Sequence, residues 1–263
     1  MVDILLTNDD GYRSALFYSL LKVLGERFSV CSITPDSEMS WVGKAISAKS
    51  EIRLKNVRLH NFQLKTITGT PADCVQVGLY HILKTPPAMV VSGINIGENT
   101  GHGRILSSGT VGACMEAAIA GTKAMCASIQ VTAEMREKID FFNIMNHQIF
   151  EKHAKIVEKL VSILIKKDFP ESVDIFSVNM PFNVNLDTEI QLTKPFKASY
   201  GSLFQKHGNI FRLKKLHQLS AEIGPGTDLD AMNNERISIT PIDLSLVSVK
   251  SFDQAEQMLE KEW

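Results

Sequence analysis

A run of apolar residues that stops at two adjacent carboxylates constrains this chain most: Ile4-Leu5-Leu6-Thr7-Asn8-Asp9-Asp10-Gly11. Val2, Ile4, Leu5 and Leu6 predict a strand buried on both faces, as in a parallel sheet. Two anionic side chains cannot continue into such a core without a partner. The chain must leave the sheet at Asp9, and both carboxylates then sit at the strand's C-terminal mouth, where open α/β sheets bind ligands. Repulsion between the neighbouring Asp residues has two remedies. One is a hard divalent cation held by carboxylate oxygens; the other is a solvated turn with one Asp capping the next helix. No Gly-x-Gly-x-x-Gly follows the strand, so the dinucleotide fingerprint is absent.

With 263 residues, 44% hydrophobic and 22% charged, the chain suits one large α/β domain or a domain with an appendage. A formal net charge of −1 argues against a binder of nucleic acid polymers. The first apolar run is too short for a signal peptide, and none approaches the roughly 20 residues of a membrane helix. Cys31, Cys74, Cys114 and Cys126 fit no zinc spacing. Buried reduced thiols in a cytoplasmic protein are expected.

Leu16, Leu20, Leu21 and Leu24 predict a helix over 15–28, and residues 28–34 a second strand ended by Pro35-Asp36. Strand, helix and strand make a βαβ unit with a right-handed crossover. The loop at 36–43 therefore opens on the same edge as Asp9 and Asp10. It carries Ser40 and Trp41; by itself Ser40 reads as a turn former. Residues 46–69 alternate as a hairpin or meander at the sheet margin. Thr70-Pro71-Ala72-Asp73 reads as helix-start chemistry, with a helix running on through Val75, Leu79, Ile82 and Leu83.

Residues 88–92 predict a buried strand, followed by a glycine-rich loop from Gly93 to Gly109 that holds Asn95 and His102. Ser107-Ser108-Gly109-Thr110 opens a helix of small residues. Its free N–H groups and positive dipole end favour phosphate, although such caps also serve without a ligand. Strands are expected at 124–131 and 173–179, and one long amphipathic helix at 139–165, with Phe142, Met145, Ile149, Ile156, Leu160 and Leu164 as its core stripe.

Residues 185–240 read as mostly β, with a solvated basic hairpin face (Lys206, His207, Arg212, Lys214, Lys215, His217) and a strong turn at 224–228. A strand at 236–242 and a short terminal helix at 252–263 follow. The expected organisation is a core over 1–184 and a β-rich C-terminal extension over 185–263.

Three strand ends thus converge on one edge: Asp9 with Asp10, the Ser40 loop, and the Asn95 loop. Two carboxylates, an amide and a hydroxyl are oxygen donors, which suit Mg²⁺ or Mn²⁺ rather than zinc or copper. Beside an anion-binding helix start, they form the layout of phosphate chemistry. The N–H groups around Ser108, Gly109 and Thr110, with Asn8 next to the carboxylates, are the candidate phosphate- and substrate-binding residues. His102 is a candidate general acid.

At this point the sequence resembles the SurE family of metal-dependent nucleotidases. The matching stretches are Thr-Asn-Asp-Asp-Gly at 7–11, Pro-Asp at 35–36 with Ser40, Gly-Thr-Pro-Ala-Asp-Cys-Val at 69–75, Val-Ser-Gly-Ile-Asn-x-Gly at 91–97 and Ser-Gly-Thr-Val at 108–111. Val-Asn-Met-Pro at 178–181, Gly-Thr-Asp at 226–228 and Ser-Ile-Thr-Pro at 238–241 continue the series in order.

The resemblance implies a Rossmann-like, mostly parallel sheet with helices on both faces, and C-terminal elements exchanged in a homodimer or homotetramer. It implies hydrolysis of nucleoside 5′- and 3′-monophosphates, with short polyphosphate as a further substrate. It places the ligands of one divalent metal ion per subunit on Asp9, Asp10, Ser40 and Asn95, and makes the basic 200–217 segment an oligomerising hairpin.

The expected reaction is in-line attack on phosphorus by a metal-activated water, with Asp9 both ligand and proton acceptor. Two rivals stay open: an aspartyl-nucleophile phosphatase, whose Asp-x-Asp spacing the adjacent carboxylates do not match, and a non-catalytic nucleotide or metal sensor. The chain departs from the family at Tyr12-Arg13-Ser14-Ala15, where a small Pro-Gly turn is usual. Trp41 replaces a small residue, and Lys44 stands where Asn or His is common. All three departures lie at the mouth of the site and bear on substrate preference.

Overall fold

Burial of the apolar strands on both faces builds one central sheet. A computed structural model describes residues 2–197, 201–214, 223–245 and residue 256. In chain order it begins β1 (Ile4–Thr7), α1 (Ala15–Gly25), β2 (Val30–Pro35), then a marginal hairpin of β3 (Leu54–Leu59) and β4 (Phe62–Ile67). There follow α2 (Pro71–Val77), β5 (Met89–Ile96), α3 (Gly101–Ser107), α4 (Gly109–Ile119), β6 (Ala124–Ile129), α5 (Ala133–Lys138), α6 (Glu151–Leu164) and β7 (Ile175–Met180). The chain closes with β8 (Ile190–Leu192), the hairpin β9 (Phe204–His207) and β10 (Ile210–Leu213), α7 (Asp228–Asn233) and β11 (Ile237–Ile242).

The nine-stranded sheet has the order β3-β4-β2-β1-β5-β6-β7-β11-β8, with β9 and β10 pairing apart from it. Strands β4, β2, β1, β5, β6 and β7 run parallel; β3 and β11 are antiparallel to their neighbours β4 and β7. Helix α1 returns the chain from β1 to β2 on one side, whereas β5 joins β1 on the other. The strand order therefore reverses between β1 and β5, and a crevice opens beyond their carboxyl ends. Two apolar cores cover the two faces. One packs α1 and α6 through Leu16, Leu20, Val157 and Val161; the other packs α2 and α4 through Val75, Val111, Cys114 and Ala117.

Local chemistry explains the element starts. Ser14 caps α1, its Oγ accepting from Phe17 N at 3.4 Å. Thr70 and Asp73 form a reciprocal capping box on α2 with Pro71 as first helical residue, the helix-start role expected of them. The helix expected through Leu83 passes instead into a single π turn at Gly78–Ile82. Ile46 and Ile52 lie outside β3, which starts at Leu54.

Three further expectations are corrected. Strand β5 does not end at Ser92; it continues with a register shift to Ile96, so Asn95 is a strand residue and not a loop residue. Gly93 makes this possible: at φ +129° its missing Cβ would lie 2.3 Å from Ala127 O on β6. His102 lies on helix α3 and not in an open loop. The continuous helix at 139–165 is broken into a non-helical turn at 139–143, a 3₁₀ stretch at Ile144–Phe150, and α6. Phe142, Met145 and Ile149 are exposed, and only Ile156 and Leu160 of the stripe are buried. The strong turn at 224–228 leads into α7, capped by Thr227. Lys215, His217 and the terminal helix at 252–263, apart from Glu256, fall outside the described residues.

Candidate active site

Asp9 and Asp10 follow β1 directly and are almost fully buried. Asn8 makes the turn: its Nδ2 donates to Gly11 O at 3.0 Å and its Oδ1 accepts from Gly11 N at 3.2 Å. That reciprocal pair uses one N–H and one oxygen lone pair of the Asn8 amide inside the turn, and Asn8, a candidate substrate-binding residue from the sequence, does not line the cleft over this mouth. Asp10 Oδ2 accepts from Ile96 N at 3.1 Å, which ties the β1 end to the β5 end. Thr110 Oγ1 donates to Asp9 Oδ1, and the Thr110 backbone bonds the same carboxylate. The start of α4 is thus pressed against Asp9. Gly109 permits this approach, since a Cβ there would lie 3.0 Å from both Asp9 Cβ and Met39 O.

The Ser40 loop is stitched to its surroundings at several points. Met39 N donates to Asp9 O at 2.8 Å and Gly43 N to Ser107 O at 2.9 Å. Lys44 pairs with Glu116 on α4, and Gln76 donates to the same carboxylate. Thr70 Oγ1 donates to Ala45 O at 2.6 Å, and Ser47 N to Asp73 Oδ1 at 3.2 Å. Lys44, a departure at the site's mouth, therefore serves to anchor this loop. Trp41 occupies a left-handed turn position at φ +65° with 42% of its surface exposed.

The electrostatics are unusual for a turn. Burial pushes the Asp9 carboxyl up to about 6, and burial together with the Asp9 charge raises Asp10 well above the carboxylate range. Among the described residues, no cationic side chain forms an ion pair with either. Two adjacent, buried and unneutralised carboxylates fit a hard divalent cation by charge and by donor type. No group of three His, Cys, Asp or Glu side chains suited to a metal is present among the described residues. Ser40 Oγ and Asn95 Oδ1, at the same mouth, are neutral oxygens that could complete a ligand set with the two carboxylates. Asn95 Nδ2 donates to Gly97 O at 2.6 Å, which leaves its Oδ1 as the donor for a ligand. Ser40 Oγ bonds Glu38 Oε1 at 2.7 Å.

A cleft of about 760 Å³ opens over these groups, and Asp9, Ser40, Asn95 and Ser108 all line it. Asp10 lies beneath it. His102 does not line it; its exposed ring is held by Phe196 O at 3.0 Å from Nδ1. The reading from sequence missed Glu38, Glu98, Arg104 and Arg136, which also face the cleft. Arg136 had a signal: Thr132 caps a short helix immediately after β6, so a fourth strand end reaches the same mouth.

A mainly parallel sheet whose crevice at the strand reversal holds paired carboxylates beside a helix start defines a Rossmann-type α/β protein with an acidic ligand cleft. The chain belongs to the SurE family: the family described as Survival protein SurE matches residues 4–202. It is 34% identical over 265 residues to the 5′-nucleotidase SurE of Methanocaldococcus jannaschii, covering 97% of each chain. To the 5′-nucleotidase SurE of Methanococcoides burtonii it is 31% identical over 260 residues, covering 97% of this chain and 98% of the relative. The crystal structure of the SurE protein from Aquifex aeolicus superposes with a TM-score of 0.79 at 28% identity, covering 97% of this chain and 99% of the other.

Proposed function

We propose that this chain is a metal-dependent phosphomonoesterase that hydrolyses nucleoside 5′-monophosphates to nucleoside and phosphate. One observation carries the reading: Thr110 ties the start of an 11-residue helix to Asp9, one of two adjacent buried carboxylates that lack a cationic partner among the described residues. The helix start takes an anion and the carboxylates take a cation, so a phosphoryl group with a divalent ion satisfies both. The names of the 5′-nucleotidase relatives support the substrate class.

Asp9, Asp10, Ser40 and Asn95 would hold one Mg²⁺ or Mn²⁺ per subunit. Such an ion supplies Lewis acidity toward the phosphoryl oxygens and toward water. Asp9, with Oδ1 fixed by Thr110, turns its other oxygen to a water attacking in line and accepts its proton. With the Thr110 backbone bonded to Asp9 and Val111 N to Ser108 Oγ, the phosphoryl oxygens would lie against Ser108 and the Gly109 N–H at the very start of α4, and the leaving oxygen takes its proton from water in the open cleft.

A cleft of 760 Å³ leaves room for a nucleoside beyond the phosphoryl group, and Trp41 with Leu213 gives it an apolar wall. Hydrolysis of 3′-monophosphates and short polyphosphate belongs to the same reading, because the site engages the phosphoryl end. The four unpaired thiols suit the reducing cytoplasm.

The test is phosphate release from nucleoside monophosphates with Mn²⁺ or Mg²⁺, against a chelator, with ribose 5-phosphate as the substrate lacking a base. Release that needs the divalent ion, favours the nucleotide and falls about a hundredfold or more in Asp9→Asn is expected. Full activity of Asp9→Asn, or undiminished activity in chelator, would overturn the proposal.

A further inference from the structure

We propose that Arg136 is a catalytic residue of this site, a guanidinium that grips the phosphoryl oxygens opposite the α4 N-terminus; the inference rests on the phosphatase reading above. Helix α5 follows β6, the strand beside β5, so its residues arrive at the same strand mouth as Asn95. Thr132 caps this helix by accepting from Met135 N at 3.2 Å, and Met135 packs onto the core. The cap and the packing aim the next residue, Arg136, into the cleft, which it lines.

The Ile96 peptide unit fixes the guanidinium relative to the carboxylates. Ile96 N donates to Asp10 Oδ2 at 3.1 Å, and Arg136 Nη2 donates to Ile96 O at 2.9 Å. Arg136 is therefore held one residue away from the buried acid pair without forming an ion pair with it.

The other charges around the cleft set it apart. Arg104 pairs with Glu98 and also donates to Thr100 Oγ1 at 3.5 Å. Glu38 takes the Ser40 hydroxyl, and Glu137 lines the wall beside Arg136. Among the described residues no carboxylate lies within ion-pair distance of Arg136. One bond to Ile96 O leaves most of its five N–H donors for a ligand. A planar fork beside a cation site is suited to two phosphoryl oxygens, which it binds more strongly as charge develops on them.

This role predicts that two affinities respond differently when the guanidinium is removed. A positive charge near Asp10 opposes a bound cation and favours a bound phosphate. In titration calorimetry on the full-length protein, Arg136→Ala should weaken inorganic phosphate binding to the Mn²⁺-loaded protein by about tenfold to a hundredfold. Its Mn²⁺ affinity should stay equal or become tighter. Arg136→Lys should recover part of the phosphate affinity, as a charge without the fork. In turnover, kcat should fall more than KM rises.

Unchanged phosphate affinity in Arg136→Ala would overturn the inference. So would a parallel loss of phosphate and Mn²⁺ affinity, which would make Arg136 a brace for the Ile96 turn. A wild-type protein that binds Mn²⁺ but no phosphate would overturn the phosphatase reading itself, a result visible before any variant is compared.

Discussion

Asp10 concentrates the cost of this site in one side chain. Its carboxylate lies beside the Asp9 charge, out of water, with Ile96 N as its backbone donor. Burial pushes the Asp9 carboxyl from its ordinary 3.8 up to about 6, and burial with the Asp9 charge raises Asp10 well above 3.8. Between those values the folded, metal-free protein binds more protons than the unfolded chain. It therefore loses stability as pH rises through about 6 and is relieved as pH falls toward about 4. Asn at position 10 keeps an acceptor for Ile96 N and removes one charge. In chelator near neutral pH, Asp10→Asn should melt several degrees above the wild type, and the advantage should fade on acidification. A hundredfold excess of Mn²⁺ over its Kd should stabilise the wild type by about 2.7 kcal/mol, roughly 5–10 °C in Tm. The same addition should leave Asp10→Asn nearly unmoved. Equal Mn²⁺ stabilisation of both proteins in calorimetric melts would remove Asp10 from the ligand set.

At the scale of elements, the site depends on how closely α4 approaches β1. Gly109→Ala tests that approach, because the added methyl meets Asp9 Cβ and Met39 O at 3.0 Å and Pro71 Cγ at 3.2 Å. Overpacking of this kind costs about 1–3 kcal/mol. The larger effect should be functional: separating Thr110 from Asp9 should lower kcat at least tenfold while the chain stays folded by circular dichroism. Undiminished kcat would show that the contact is not needed.

The features legible in the sequence were those written in short-range chemistry. A buried strand cut off by Asp9-Asp10, the Thr70 capping box and the Ser108 cap each show in neighbouring residues. What stayed hidden depended on partners far along the chain. Asn95 belongs to β5 because β6 pairs beyond the Gly93 irregularity. The stripe from Phe142 to Leu164 keeps a helical period, yet Asp140 Oδ1 takes Phe142 N at 3.0 Å and Asn143 Oδ1 takes Met145 N at 3.1 Å. Those side chains compete with the helix and break it. Asp228 looked like part of a turn; it is fully buried, accepting from Gly101 N at 2.6 Å and Phe196 N at 3.0 Å, and so fastens α3 to the C-terminal segment.

At the scale of the whole molecule, the hairpin of β9 and β10 stands apart from the main sheet with its side chains exposed. Register places Phe204 opposite Leu213 and Lys206 opposite Phe211, so these four share one face, while Gln205, His207, Ile210 and Arg212 share the other. The first face is the more apolar, with Phe204, Phe211 and Leu213 exposed by 52%, 61% and 50%. A two-stranded ribbon is marginal in water by itself and needs a surface to pack on. A second copy of this chain is the covering surface we propose. Because Leu213 and Lys214 also line the catalytic cleft, that packing would complete one of its walls. Replacing Phe204 and Phe211 together by Glu should reduce the mass seen by light scattering to that of the monomer. Neither residue belongs to the two main cores, so the far-UV spectrum should be kept. kcat/KM for nucleotides should drop with the loss of the wall, whereas Mn²⁺ affinity, set by residues at the ends of β1 and β5, should not change. A double variant that keeps its assembled mass, or a wild type that is already monomeric at micromolar concentration, would show that the hairpin face is covered by something other than a second copy.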